Sequence, residues 1–144
     1  MPRLFGIPGT SISVIVNTRD HCPPHVHVEP RAGQWEARME FNFLDGSVGL
    51  MDMMPPDRAP TLAILNAVRV EFAANLGAAR RAWWAIYADA CLDNRWLIPA
   101  RTTWRDAGNL RAPPAQQVRG AAYDPVADVL TISWTNGATS TVQL

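Results

Sequence analysis

Apolar and polar residues alternate along several short stretches of the chain, and a period of two marks strands that bury one face. Residues 11–16 put Ile12, Val14 and Val16 on one side. Residues 25–29 resume the alternation, with Val26 and Val28 on one face and His25 and His27 on the other. The clearest case is residues 34–43. There Trp35, Ala37, Met39, Phe41 and Phe43 oppose Glu36, Arg38, Glu40 and Asn42. Asp45-Gly46 is a strong hairpin dipeptide, and a short strand over 48–51 follows it. The first half therefore predicts an antiparallel meander of four strands.

The period then changes. Pro55-Pro56-Asp57 ends the sheet, with Asp57 as a helix N-cap and Pro60 tolerated in the first turn. Leu62, Leu65, Val68, Phe72 and Leu76 recur at three- and four-residue spacing, as a buried helical stripe requires. Asn75 and Gly77 suggest a break, after which Ala79, Trp83, Ile86 or Tyr87, and Ala90 continue a second helix. Residues 93–117 lose periodicity among prolines and glycines and read as an irregular connector, with 110–116 as a linker. Residues 118–144 regain β character: Leu130, Ile132 and Trp134 alternate, Asn136-Gly137 turns the chain, and Val142 and Leu144 answer. The predicted fold class is α+β. A small antiparallel sheet packs on two helices in domain 1–92, and a three-stranded ribbon at 118–144 is too small to stand alone.

Composition sharpens this outline only modestly. Of 144 residues, 48% are apolar and 18% charged, which suits a globular chain with a real core. Thirteen basic residues, all arginine, balance thirteen acidic ones. That neutrality argues against a protein that coats nucleic acid. Cys22 and Cys91 stand far apart without a C-x-x-C pair, which predicts a reducing compartment and no disulfide framework. MPRLFGIPGT lacks the apolar stretch of a signal peptide, and no run of about 18 apolar residues exists. A cytoplasmic protein without a membrane partner is expected.

Candidate chemistry gathers in one place. All three histidines, His21, His25 and His27, fall in the string D-H-C-P-P-H-V-H-V-E, around Pro23-Pro24. His25 and His27 share a strand face, and the double proline can fold His21 back toward them. Three converging imidazoles make a metal site with an open position, suited to a divalent transition metal such as zinc. Cys22 is a fourth candidate ligand, and Asp20 or Glu29 can orient a ring from behind. Without metal, two imidazoles can serve as general base and acid for RNA cleavage. Arg19, Arg31 or Arg38 would then steady the phosphate. The bland reading is a rigid corner whose rings satisfy backbone groups beside the prolines. On that reading the chain is an interaction module and not an enzyme.

The string D-H-x-P-P-H-V-H-V, with its flanking strands, D-G turn, proline step and two helices, resembles the bacterial domain-of-unknown-function family 4160 over residues 2–84. The tail V-L-T-I-S-W-T-N-G-A-T-S-T-V-Q-L is similar to the opening meander of family 2442. These resemblances imply a fusion of two modules, the second truncated, in a toxin–antitoxin setting. The implied partner is a cognate antitoxin or a second copy of the chain. The resemblance supplies no mechanism.

Other conspicuous residues read as packing. Trp35, Trp83 and Trp134 lie on apolar faces, while Trp84, Trp96 and Trp104 are less constrained. Arg80-Arg81 reads as a solvated face, Met51, Met53 and Met54 as core gap-fillers, and Cys91 as a buried small hydrophobe on a helix. No phosphate loop, G-x-S-x-G elbow or H-E-x-x-H helix is present, which removes several large enzyme classes.

Overall fold

Two antiparallel five-stranded sheets and two helices build the protein in a computed structural model that describes residues 3–144. Residues 1 and 2, where the expected first domain and the family resemblance begin, lie outside that range. The first sheet is a meander, β1 (Arg3–Gly6), β2 (Ile12–Ile15), β3 (His25–Pro30), β4 (Glu36–Glu40) and β5 (Gly49–Met54). The second has the order β10-β9-β8-β6-β7, from β6 (Trp96–Ala100), β7 (Thr103–Asp106), β8 (Gln116–Asp124), β9 (Val129–Trp134) and β10 (Thr139–Gln143). Helices α1 (Leu62–Ala74) and α2 (Leu76–Tyr87) link them. The fold is α+β, with strands in the majority.

Alternation predicted the buried faces well. Trp35, Ala37, Met39, Phe41 and Phe43 are all buried, as are Leu130, Ile132, Trp134 and Val142. The departures arise where pairing partners lie far off in sequence. β1 adds a fifth strand to the expected four by pairing with β2. The irregular connector 93–117 holds β6 and β7, and β6 pairs β8 at Trp96–Gln117 and Leu97–Gln116. The C-terminal ribbon is thus part of a larger sheet. Asp45-Gly46 does not make a tight hairpin. A wide loop joins β4 to β5, held by Asn42, Asp45 and Ser47 through side-chain hydrogen bonds.

Thr61, not Asp57, caps α1: its hydroxyl accepts from the Ile64 amide at 3.3 Å, and Asp57 sits in a preceding 3-10 turn. The stripe begins one turn later than expected, because Leu62 is 73% exposed while Val68, Phe72 and Leu76 are buried. The break falls at Asn75, where the helices bend by 71° and Gly77 already lies within α2. Among the described residues no single helix is long and apolar enough to cross a membrane.

The apolar residues of both sheets form one continuous core. Tyr123 of β8 bridges the layers, its ring 5.1 Å from Phe43 and 6.1 Å from Trp84. Arg80 is buried, against the expectation of a solvated face. Its guanidinium donates to the Asn42 and Asp45 carbonyls at 3.0 and 2.5 Å, tying α2 to the wide loop. Met54 is exposed and Met51 and Met53 only half-buried, because β5 is the edge of its sheet. The Trp104 ring lies 4.3 Å from that of Trp134, tilted by 52°, and Trp84 and Trp96 are also partly covered.

Candidate metal centre

Strand β3 places His25 and His27 on one face, two residues apart, as the alternation predicts. Both are buried, unlike most histidines. Pro23 prepares the first. Its carbonyl can only accept, so His25 Nδ1, at 2.8 Å, carries the proton and donates to it. In the neutral ring His25 Nε2 then carries the lone pair. That atom is buried and has no hydrogen-bond partner. The Asp20 carboxylate lies 3.5 Å from it.

His27 is held from both ends. Its Nδ1 lies 2.6 Å from the Glu36 carboxylate, and its Nε2 lies 3.0 and 3.1 Å from the two Asp20 oxygens. The register explains the first contact. His27 pairs with Arg38 across β3–β4, which sets Glu36 diagonally adjacent on the same face. Asp20 arrives on the loop after β2. Its amide donates to the Tyr87 hydroxyl at 2.7 Å, and that hydroxyl donates to the Asn17 carbonyl at 2.6 Å. Burial pushes the Tyr87 hydroxyl's pKa up, which keeps that donor protonated.

The result is a compact group, Asp20, His25 and His27, whose donor atoms lie within 4.8 Å of one another. Two imidazole nitrogens and one carboxylate is a common ligand set for zinc and for iron(II). Each ring is oriented through its far nitrogen, by a carbonyl for His25 and by a carboxylate for His27, the arrangement that fixes metal-binding histidines. Asp20 also lines a cleft of about 290 Å³ with His21, Cys22, Trp83, Tyr87, Asp89 and Cys91. Trp83 forms its wall next to the buried ring of His25, at 5.7 Å.

The site differs from the expected three-histidine arrangement. His21 is exposed, bonds the Cys22 carbonyl through Nδ1 at 2.9 Å, and stands outside the group of converging donors. Asp20 takes the third place, and Glu36 replaces Glu29 as the orienting carboxylate. Glu29 lies elsewhere, in a polar hollow with Arg3, Ser13 and Arg31. Glu36 carried a signal in its position on the polar face of its strand, but only the strand register reveals its partner.

Cys22 joins no histidine. It forms a disulfide with Cys91, 69 residues away, with the Cα atoms 5.6 Å apart. This corrects the expectation that the two cysteines stay unpaired. Cys91 is not on a helix either: α2 ends at Tyr87, and Cys91 occupies a left-handed turn with φ +59°.

The arginines divide. Arg38 makes a two-point ion pair with Asp52, with Nε at 2.8 Å from Oδ1 and a second contact through its terminal nitrogen. Hydrogen bonding to Asp52 raises the Arg38 pKa, and the same bond lowers that of Asp52. Arg38 is therefore committed to a carboxylate rather than free for a phosphate. Arg19 is exposed beside Asp20 on a shallow hollow with Asn17 and Thr18. Arg31 is exposed at the far end of β3. No family model matches the chain, and no curated protein or solved structure matches it.

Proposed function

We propose that Asp20, His25 and His27 hold one divalent transition metal of the zinc class, and that the protein is a metal-dependent hydrolase for a small substrate. The observation that carries this reading is the buried, unpartnered Nε2 of His25, aimed at the Asp20 carboxylate beside His27 Nε2. A buried lone pair facing a carboxylate is unfavourable on its own. A shared cation satisfies all three donors.

A metal held by three protein ligands keeps open positions, and it supplies Lewis acidity and an activated water. The chain's own residues define the rest. Pro23 and Glu36 lock the two rings, Tyr87 fixes the Asp20 loop, and Trp83 walls the cleft with an apolar face. The cleft's size and the burial of both imidazoles favour a small substrate over a polymer. A metal-free histidine pair acting on an RNA 2′-hydroxyl is disfavoured because His25 Nδ1 and both His27 nitrogens already face Pro23, Glu36 and Asp20.

The D-H-x-P-P-H-V-H-V string supports a further element of the reading: a family-4160-type module acting as the toxin of a cytoplasmic bacterial pair, its partner an antitoxin or a second copy. Growth arrest would then depend on the metal site. A second reading, the rigid non-catalytic corner, draws on the His25–Pro23 hydrogen bond and the packing of Trp83.

Elemental analysis of the purified chain separates the two. Metal close to stoichiometric, lost in a His25→Ala, His27→Ala variant together with any growth inhibition, is the expected result. A wild-type chain that takes up neither zinc, cobalt nor iron(II) on incubation overturns the metal reading and leaves the corner.

A further inference from the structure

The turn after α2 carries a group that the histidine site does not use. Ala88 and Cys91 both adopt left-handed backbone conformations, φ +47° and +59°, which non-glycine residues hold at some cost. Between them Asp89 is fixed by two hydrogen bonds and sits against a sulfur. Its carbonyl accepts from the Trp83 indole at 2.9 Å, its Oδ1 accepts from the Cys91 amide at 2.7 Å, and its Oδ2 lies 3.7 Å from Cys22 Sγ. The two sulfurs and the Asp89 carboxylate come within 4.8 Å of one another on the cleft wall. Cys22 is exposed and Cys91 half-buried, so a reductant can reach the bond.

We propose that Cys22, Asp89 and Cys91 form a second, redox-convertible metal site: a metal-free disulfide when oxidised, and a zinc-class thiolate site when reduced. A dithiol reductant opens the bond by thiol–disulfide exchange. Its two sulfurs give up two electrons and close into their own disulfide, and its two protons pass to Cys22 and Cys91. Metal binding then releases those protons to solvent and leaves two thiolates on the ion. Exchange with an oxidised dithiol reverses the electron flow and expels the metal.

The converging donor set is the reason to expect a cation. Opening the bond creates two thiols beside a carboxylate already held by the Cys91 amide. Both thiols stay protonated beside that carboxylate, and a dication displaces their protons and is held by all three donors at once. Soft sulfur donors select zinc-class ions over magnesium or calcium. No ligand is shared with Asp20, His25 and His27, so this site stands or falls separately.

Cobalt(II) substitution tests the proposal on the full chain. After phosphine reduction, thiols are counted and cobalt is added. A sulfur-to-cobalt charge-transfer band is expected, with about one more metal per chain than in the oxidised protein. The band should vanish in Cys91→Ser and survive in His25→Ala, His27→Ala. Asp89→Asn should weaken binding by roughly tenfold or more. If the double histidine variant fails to fold, the wild-type band still reports this site, because the histidine site holds no sulfur. A reduced wild-type chain without the band, equal metal content in both redox states, or a bond that resists reduction in the folded protein would overturn the proposal.

Discussion

Replacing Glu36 by glutamine keeps the shape of the side chain but removes the charge that faces His27 Nδ1 at 2.6 Å. In the metal-free protein the consequence is small. The Glu36 side chain is 46% exposed, and such solvent-facing pairs contribute at most about 1 kcal/mol. In the metal-loaded protein the same carboxylate orients the ring and raises its basicity. Removing partners of that kind weakens metal binding by about 10–100-fold. At a fixed zinc concentration well above both dissociation constants, this removes about 1.4–2.7 kcal/mol of linked stability. For a chain of this length each kcal/mol moves the melting temperature by roughly 3 °C. Zinc should therefore raise the melting point of Glu36→Gln by about 4–8 °C less than it raises that of the wild type. Circular-dichroism melts of both proteins, with zinc and with a chelator, give the double difference. Equal zinc-induced shifts in the two proteins would refute the reasoning, whatever their metal-free melting points.

Three further outcomes are expected. Phe72→Ala empties the contact between α1 and the ring of Phe41, 5.9 Å away, and should cost about 3–5 kcal/mol, read from the urea midpoint at unchanged slope. Arg80→Ala leaves the Asn42 and Asp45 carbonyls unpaired and should cost about 2–4 kcal/mol; a loss under about 0.5 kcal/mol, the scale of a plain surface change, would show that water replaces the guanidinium. Burial alone would raise the Asp45 pKa, but hydrogen bonds from the Ser47 hydroxyl and amide and from Asn42 outweigh it and hold the carboxyl below its ordinary value. The unfolded chain then binds the proton more readily, so this stabilisation is present above about pH 3.9 and fades as pH falls through the lower folded value. Asp45→Asn should flatten that acid limb in a pH series of urea melts, and an unchanged limb would assign it to other carboxylates.

The histidine string was the conspicuous feature of the sequence, and its strand geometry followed from alternation alone. Val26 and Val28 against His25 and His27, like Trp35 through Phe43, obey a period of two that local sterics impose. The two helices and the break at Asn75 were equally legible, because a stripe at helical spacing records which side is buried. Start signals were less so. Asp57 and Thr61 are both good caps, and the choice between them depended on where the chain leaves β5.

What the sequence by itself determined, then, was which residues face inward within each element, and that imidazole chemistry concentrates before and on β3. What only the tertiary structure decided was which groups meet. Asp20 reaches the two Nε2 atoms because Tyr87, far along the chain, clamps its loop. Glu36 reaches His27 through the β3–β4 register. Cys22 finds Cys91 because α2 packs Trp83 beside His25 and ends next to the proline bend. His21, adjacent to Asp20 in sequence, is turned out to solvent. Periodicity is a property of neighbours along the chain. A site is made by contacts between distant segments, and these are fixed by strand register, helix packing and the hydrogen bonds that each buried polar group must find.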